Sequence, residues 1–284
     1  MLSRTQVEEY KKNGYTIENE LISKDEVSAF LADAESISAG NTLAQHDKTR
    51  LEMEPNQPPD GTRARRLYEP CTHYPRFRAF AESNELVDCI EALLGPNLML
   101  HYSKLNMKPP AIGSVVEWHQ DLAYYPLTNR DSLAVLVYLD DADIGNGCLK
   151  VIPAMQDSPL MNHTSDGFFQ GRITEPVDES LAVPVEGKAG TAIFMHCMTP
   201  HTSAPNNSSR PRRTLILSYR SADAVPLYMR ETTVGIEANA RLVRGQAPTR
   251  ARFTITEFPI PHYRWKFASL YELQELSRAS EQKK

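Results

Sequence analysis

Short apolar runs separated by polar turns fill the middle of the chain, and these runs predict an all-β core. Seven runs rich in β-branched and aromatic residues are expected to form strands. They are LMLHYSKLNMK (98–108), SVVEWHQD (114–121), SLAVLVYLDDA (132–142), GCLKVIP (147–153), LAVPV (181–185), GTAIFMH (190–196) and RRTLILSYR (212–220). Their regular spacing is typical of a sandwich or barrel of the jelly-roll kind.

Helical patterns flank this core at both ends of the chain. Residues 5–13 predict a short helix that ends at NGY, and the S-x-x-E spacing of Ser23 and Glu26 predicts a capping box that begins a second helix. Further helices are predicted over 82–95 and 267–280. The polar, proline-rich stretch 41–70 is expected to be a long surface loop.

Length and charge limit the organisation and the partners of the chain. Its 284 residues predict a single domain with a helical part at about 1–95, a core at about 97–221 and a C-terminal extension at 222–284. A formal net charge of −5 argues against nucleic acid as a partner.

Cysteine usage and hydropathy bear on location. The four cysteines show no C-x-x-C spacing, which favours a reducing cytoplasm over a disulfide framework. The longest apolar run has seven residues (133–139), so no membrane span is expected. The charged N-terminus does not look like a signal peptide.

A histidine and an aspartate two positions apart make the strongest candidate for chemistry. His119 and Asp121 would face the same way if both lay on one strand, and together they would supply two ligands of a metal site. His201, just after a proline turn, is the best-placed third ligand. Such a triad leaves positions open for Fe(II) to take a chelating cosubstrate and O₂. By itself, an H-x-D pair is equally compatible with a structural salt bridge.

Arg212 lies eleven residues after His201, at the start of a predicted strand, where its guanidinium could bind a carboxylate in bidentate fashion. Its neighbours Arg210 and Arg213 are expected to lie in a solvated basic turn. The other histidines, which are His46, His73, His101, His163, His196 and His262, are not expected to be ligands.

These positions resemble the phytanoyl-CoA dioxygenase family of Fe(II)/2-oxoglutarate-dependent oxygenases, which includes ectoine hydroxylase. The family pattern has H-x-D, then a histidine followed by serine, asparagine and arginine two, five and eleven positions later. This chain has His119 and Asp121, then His201, Ser203, Asn206 and Arg212 at those offsets. The segments LNMKPP, HQDLAYYP and NGCLKVIP extend the resemblance, which covers about 5–221.

The resemblance implies a double-stranded β-helix (cupin-like jelly roll) and an enzyme that hydroxylates or desaturates a C–H bond of a small molecule. It implies iron held by His119, Asp121 and His201, 2-oxoglutarate chelating the iron, O₂ as oxidant, and Arg212 receiving the far carboxylate. Succinate and CO₂ would be the coproducts. The intact aspartate favours these reactions over halogenation. PAMQ at 153–156 departs from the PGSH common in the family.

Other polar residues are candidates for the cosubstrate and the substrate. The resemblance places three alternating residues of one predicted strand, Tyr102, Lys104 and Asn106, beside 2-oxoglutarate, although an exposed face is equally compatible with Lys104. Ser203 could donate a hydrogen bond to a cosubstrate carboxylate or could merely cap its turn. Tyr124 and Tyr125 are expected at the substrate mouth. The basic cluster Arg63, Arg65 and Arg66 could bind an anionic substrate, although a solvated loop is the default expectation. Residues 41–66 and 221–245 are expected to shape the substrate pocket.

Two rival functions share the same ligands. A cupin-like zinc or manganese hydrolase or isomerase could use two histidines and an aspartate, and a non-catalytic protein could bind a structural metal or none. Arg212 discriminates against the hydrolase, because hydrolysis has no need of a dicarboxylate anchor.

Overall fold

The helices lie mainly in the first third of the chain. The computed structural model describes residues 1–111, 114–227, 238–267 and 269–281. Its α-helices are α1 (Arg4–Asn13), α2 (Lys24–Ser38), α3 (Pro70–His73), α4 (Pro75–Ala81), α5 (Asn84–Leu94) and the C-terminal α6 (Leu270–Glu281). Ser3 and Ser23 each accept a hydrogen bond from the backbone three residues later and complete a capping box, so the predicted helix start at Ser23 is confirmed.

Strands follow in two antiparallel sheets and one short hairpin. They are β1 (Tyr15–Glu18), β2 (Leu51–Met53), β3 (Ala64–Tyr68), β4 (Leu98–Lys108), β5 (Val116–His119), β6 (Ser132–Tyr138), β7 (Leu149–Val151), β8 (Thr164–Ser165), β9 (Phe168–Phe169), β10 (Val183–Val185), β11 (Ala192–His196), β12 (His201–Ser203), β13 (Arg212–Ser221) and β14 (Arg241–Arg244). All seven predicted strands are present, and only β13 extends beyond its expected range, by one residue at Ser221.

The two sheets differ in size and in strand order. Within the described residues, the large sheet runs β1-β11-β6-β13-β4-β3-β2, with β14 also paired to β4, and the small sheet runs β10-β7-β12-β5. Sequence neighbours are rarely sheet neighbours, which is typical of a jelly roll and not of a meander. The central strands β6, β13 and β4 form the floor beneath the site described below.

The large sheet is buried on both faces. Leu215 and Leu217 of β13 pack with Phe30 and Ile90 of the helical layer, and Ile216, between the two leucines in sequence, packs against the core between the sheets. Strand β6 is buried along its whole length for the same reason. Helices therefore cover one face of the large sheet, and the small sheet covers the other.

The stretch 41–70 is not simply a loop, which corrects the prediction. It contains β2 and β3, and β3 extends the large sheet by pairing with β4. Two arginines inside β3 hid its strand character, because charged residues at consecutive positions do not resemble a buried strand. Among the described helices, none is long and apolar enough to cross a membrane.

Candidate active site

The three candidate metal ligands meet at the end of the small sheet. His119 is the last residue of β5 and His201 the first of β12, and the two pair directly across the sheet. Asp121 does not continue the strand, contrary to the expectation, but begins a 3₁₀ turn, Asp121–Ala123. This turn still brings its carboxylate to the histidines, since Asp121 Oδ1 lies 3.8 Å from the Nε2 atoms of both His119 and His201.

Backbone carbonyls fix the orientation of both imidazole rings. His119 Nδ1 lies 2.8 Å from the carbonyl oxygen of Glu117, and His201 Nδ1 lies 3.0 Å from that of Thr199. Each Nδ1 therefore carries the proton, and each Nε2 keeps its lone pair for a metal. Burial lowers the pKa of both histidines, and the neighbouring His201 lowers that of His119 further. Both rings are thus held in the neutral form that binds a metal.

This donor set fits a divalent transition metal. One ligand atom from each of His119, Asp121 and His201 lies within 4.8 Å of the other two. Two imidazoles and one carboxylate on one side of an ion leave its other positions open, which is the arrangement that suits Fe(II) with a chelating cosubstrate. Repulsion between the lone pairs and the carboxylate would be relieved by a cation at this point.

A narrow cavity of about 40 Å³ runs from the two histidines to Arg212. Arg212 is 5% exposed, its Nη1 donates to Thr214 Oγ1 at 2.7 Å, and its buried Nε has no hydrogen-bond acceptor among the residues that the structure describes. Within the described part of the chain it forms no ion pair with a carboxylate. A buried guanidinium without a counter-ion fits an anionic ligand at this end of the cavity.

The other cosubstrate candidates line the same space. Ser203, Asn106 and Lys104 border the cavity that ends at Arg212, whereas Tyr102 borders the wider cavity next to it, and Lys104 borders both. Burial and the nearby Arg66 lower the pKa of Lys104 to about 8. The alternation along β4 thus places the side chains of Tyr102, Lys104 and Asn106 on the inner face of the large sheet.

Lys108 belongs to the same alternating set but was missed. It is buried, and its Nζ donates to the carbonyl oxygens of Ser203 (3.1 Å) and Ala204. Burial, with Arg212 nearby, lowers the pKa of its ammonium group. The signal was present in the sequence, because Lys108 follows Asn106 by two positions.

The wider cavity, of about 190 Å³, opens from the metal ligands on the other side. Tyr124 and Tyr125 line it, as expected for the substrate mouth, together with three aromatic residues: Phe169, Tyr263 and Phe267. Its floor includes Arg66 and Tyr68 of β3. Helix α6 and the residues just before it complete the wall of this cavity, and the sequence did not predict this role for them.

The basic cluster at 63–66 is not a solvated loop, which is a second correction. Arg65 and Arg66 are buried in β3, and only Arg63 is exposed.

Of the segments expected to shape the pocket, 41–66 contributes Arg66, whereas 228–237 of the second segment lies outside the described residues. None of the residues 153–156, where the chain departs from the family, lines either cavity.

The remaining histidines lie away from the triad, as expected. His196 is half-buried near Tyr10 of α1, and His101 packs edge-on against Tyr125. His163 Nε2 accepts a hydrogen bond from the backbone N–H of Gln120, so it supports the turn that follows His119. His73 and His262 are exposed.

A jelly roll that carries two histidines and a carboxylate beside an arginine-ended cavity has the design of the non-haem iron oxygenases that use 2-oxoglutarate. A profile of the family described as phytanoyl-CoA dioxygenase (PhyH) matches residues 10–214. The chain therefore belongs to the phytanoyl-CoA dioxygenase family, and with it to the iron- and 2-oxoglutarate-dependent dioxygenases.

Individual relatives agree with this assignment. The chain is 33% identical to a probable alpha-ketoglutarate-dependent hypophosphite dioxygenase of Stutzerimonas stutzeri, over 78% of this chain and 80% of the relative. It is 29% identical to a methylphosphonate hydroxylase of Gimesia maris, over 78% and 81%. The crystal structure of EctD from S. alaskensis with 2-oxoglutarate and 5-hydroxyectoine superposes with a TM-score of 0.63, at 25% identity over 78% and 77%, which confirms the predicted jelly-roll fold.

Proposed function

We propose that this chain is a single-domain enzyme, over 1–284, that hydroxylates or desaturates a C–H bond of a small-molecule metabolite. Fe(II) and 2-oxoglutarate would be its cofactor and cosubstrate, O₂ its oxidant, and succinate and CO₂ its coproducts. The observation that carries the proposal is the triad of His119, Asp121 and His201 at one end of a buried cavity with an uncompensated Arg212 at the other.

In this proposal His119, Asp121 and His201 hold the iron. Their Nε2 atoms and carboxylate oxygen converge, and the carbonyl oxygens of Glu117 and Thr199 prevent the rings from turning. Fixed ligand orientation is what metal-binding histidines gain from such partners. The pairing of β5 with β12 keeps the centroids of the two rings 4.0 Å apart, so the backbone itself brings both proposed ligands together.

Arg212 would receive the far carboxylate of 2-oxoglutarate. It is buried, fixed by Thr214 and free of any carboxylate of the described chain, so a dianion entering the cavity would neutralise it. Ser203 and Asn106 would line the path, and Lys104 and Tyr102 would stand near the end closer to the metal. A buried arginine pair with a carboxylate is strong because water does not compete for it.

Iron and 2-oxoglutarate, when bound, supply the oxidising chemistry that consumes O₂ and attacks an unactivated C–H bond. The residues of the chain position the reactants and exclude water. The aromatic side chains Tyr124, Phe169, Tyr263 and Phe267 surround the wider cavity next to the triad, which suits a substrate whose C–H bond must lie near the metal. Their rings also keep the reaction away from bulk solvent.

Other features of the chain support the substrate class, the location and the partners that we propose. The substrates named for the two relatives, hypophosphite and methylphosphonate, are small molecules, which supports a small-molecule substrate here. The four unpaired, buried cysteines support a cytoplasmic location. Nucleic acid is not proposed as a partner, given the net charge of −5. The rival hydrolase gives no reason for an uncompensated Arg212 and is disfavoured.

The test is an anaerobic titration of purified protein with Fe(II) and then 2-oxoglutarate, followed by the weak visible charge-transfer absorption of the chelate. We expect the absorption in wild type, its loss in His201→Ala, and an increase of about 10-fold or more in the 2-oxoglutarate concentration needed in Arg212→Gln. The reason is that the first variant lacks an iron ligand and the second lacks the carboxylate partner.

Two variants serve as matched controls. His73→Ala removes an exposed histidine, and Arg213→Gln removes an arginine adjacent to Arg212 that instead pairs with Asp140 at 2.7 Å. Both should behave as wild type in the titration. Iron-loaded wild type without the absorption, or an equal loss in Arg213→Gln and Arg212→Gln, would argue against the proposed function.

A further inference from the structure

Arg66 is a buried cation in the wall of the wider cavity with few partners of its own. It is 3% exposed, and its Nε donates to Asn106 Oδ1 at 3.0 Å. Its Nη2 is buried and has no acceptor among the described residues, and its Nη1 lies 3.9 Å from Glu52 Oε2, too far for a hydrogen bond. Tyr271 stacks on its guanidinium at 4.7 Å and fixes its plane.

The neighbouring Arg65 shows what a compensated arginine looks like in the same strand. Arg65 Nη2 lies 2.7 Å from Glu52 Oε1, and its Nη1 lies 3.0 Å from Glu275 Oε1. Glu52 also accepts hydrogen bonds from Tyr68 and Ser269. The Glu52 carboxylate therefore already accepts hydrogen bonds from Arg65, Tyr68 and Ser269. It attracts Arg66 across 3.9 Å without a hydrogen bond.

Lys104 adds a second positive charge to the same wall. Its ammonium group has no hydrogen bond or ion pair with any residue that the structure describes, and its closest aromatic partner is Tyr102, at 5.6 Å. Arg66 borders the wider cavity, and Lys104 borders both this cavity and the narrow one that ends at Arg212. Glu52 attracts Arg66 and Asp121 attracts Lys104, but neither carboxylate gives Arg66 Nη2 an acceptor among the described residues. A buried donor without an acceptor is unfavourable, so a bound anion would stabilise this wall.

We propose that Arg66 binds an anionic oxoacid group of the primary substrate, so that this enzyme oxidises small molecules bearing a carboxylate or a phosphorus oxoanion. The inference rests on the proposed function, because it places the substrate in the wider cavity and 2-oxoglutarate in the cavity of Arg212. Arg66 is then the residue that fixes the anionic end, and the aromatic rings of Tyr124 and Phe169 border the rest of the substrate.

The size of the cavity favours a compact molecule. Its volume of about 190 Å³ is below the roughly 300–1,000 Å³ of pockets that hold drug-sized ligands. Leu270 and Leu273 of α6 form part of its wall and restrict the space above the floor made by β3 and β4. A short-chain acid fits these limits better than a long acyl chain.

The test uses the anaerobic complex with Fe(II) and 2-oxoglutarate and three probes: isobutyrate, ethylphosphonate and the neutral isobutyramide. Binding is measured by calorimetry and by the shift of the charge-transfer absorption. We expect at least one of the two anions to bind wild type, and isobutyramide to bind at least about 10-fold more weakly than isobutyrate if the carboxylate is preferred. The ratio of the affinities for isobutyrate and ethylphosphonate shows whether the site prefers a planar carboxylate or a tetrahedral phosphonate.

Variants assign the effect to Arg66. Arg66→Gln should weaken binding of the preferred anion about 10-fold or more, Arg66→Lys should retain part of it, and the exposed Arg63→Gln should match wild type. The affinity for 2-oxoglutarate should stay unchanged in all three. If Arg66→Gln folds poorly, the comparison of Arg66→Lys with Arg63→Gln still isolates the guanidinium.

The contrary outcomes separate the two proposals. Anion binding that is equal in wild type and Arg66→Gln, or a selective loss of 2-oxoglutarate affinity in Arg66→Gln, would overturn the role of Arg66. Wild type that forms the chelate absorption but binds neither anion refutes this inference alone. Wild type that forms no chelate absorption refutes the proposed function and this inference with it.

Discussion

Two neighbouring arginines on β13 point to opposite faces of the large sheet and meet different surroundings. Arg213 points to the helical side of the large sheet, where its Nε and Nη2 donate to the two oxygens of Asp140 at 2.9 and 2.7 Å. Arg212 points to the inner side, where no carboxylate of the described chain meets it. The same strand thus carries one charge satisfied by the fold and one left for a ligand.

Glu69 gives a residue-scale prediction about pH. Burial raises the pKa of its carboxyl from about 4.5 to about 7, although Ser103 and Thr72 donate hydrogen bonds to it. Between these pH values the unfolded chain releases the proton and the folded chain keeps it, so the free energy of unfolding falls as pH rises. The loss should reach up to about 3 kcal/mol by pH 8.

Urea unfolding at pH 5 and pH 8 checks this expectation. Glu69→Gln is neutral at both pH values and should lose less stability than wild type on going from pH 5 to pH 8. Glu257→Gln, at an exposed position, should follow wild type. An identical pH dependence in Glu69→Gln and wild type would show that Glu69 ionises normally in the folded protein.

At the scale of elements, helix α6 is attached to the strand that carries His119. Gln274 is fully buried; its Oε1 accepts from the backbone N–H of Glu117 at 3.1 Å, and its Nε2 donates to the carbonyl oxygen of Gly171. The Glu117 carbonyl oxygen in turn orients the His119 ring. One side chain therefore joins the wall of the wider cavity to the metal strand.

We expect Gln274→Leu to lower the free energy of unfolding by about 1–3 kcal/mol, because the buried N–H of Glu117 would lose its acceptor. Amide hydrogen exchange in α6 and at Glu117 should become faster than in wild type. Gln246→Leu, at an exposed position, is the control and should leave both measurements unchanged. Unchanged exchange in α6 would mean that other contacts hold the helix in place.

Elements with one clear periodicity were predictable from the sequence, and those stabilised by long-range ion pairs were not. The capping box at Ser23 and the apolar run of β6 identify their elements locally. Strand β3 reads ARRLY, and its Arg65 is buried because Glu52 and Glu275, which lie elsewhere in the chain, pair with it. Such tertiary compensation leaves no local pattern, so the sequence alone predicts a loop at this strand.

At the scale of the whole molecule, the site depends on pairings that the sequence does not display. Strand β12 lies between β5 and β7 in the small sheet, and only this arrangement sets His201 opposite His119. The family offsets point to the candidate ligands and to Arg212 without knowledge of this pairing. They could not reveal that β3 and α6 close the wider cavity, because neither belongs to those motifs.

The four cysteines report on the integrity of the whole molecule, since they lie in different parts of the core. Cys71 and Cys89 lie beneath the helices, Cys148 between the sheets, and Cys197 in the cluster with Leu122. All four are buried and unpaired, and burial raises the pKa of each thiol. Both effects suppress the thiolate that reacts with a disulfide reagent.

We therefore expect no rapid reaction of the native protein with Ellman's reagent and four reactive thiols after unfolding in guanidinium, a count that reductant should not increase. Peptide mapping of partly reacted protein identifies which thiol opens first. Early labelling of Cys197 would indicate local opening beside the turn that carries Asp121, whereas simultaneous labelling of all four would indicate cooperative unfolding. A thiol that reacts within seconds under native conditions would contradict the burial described here.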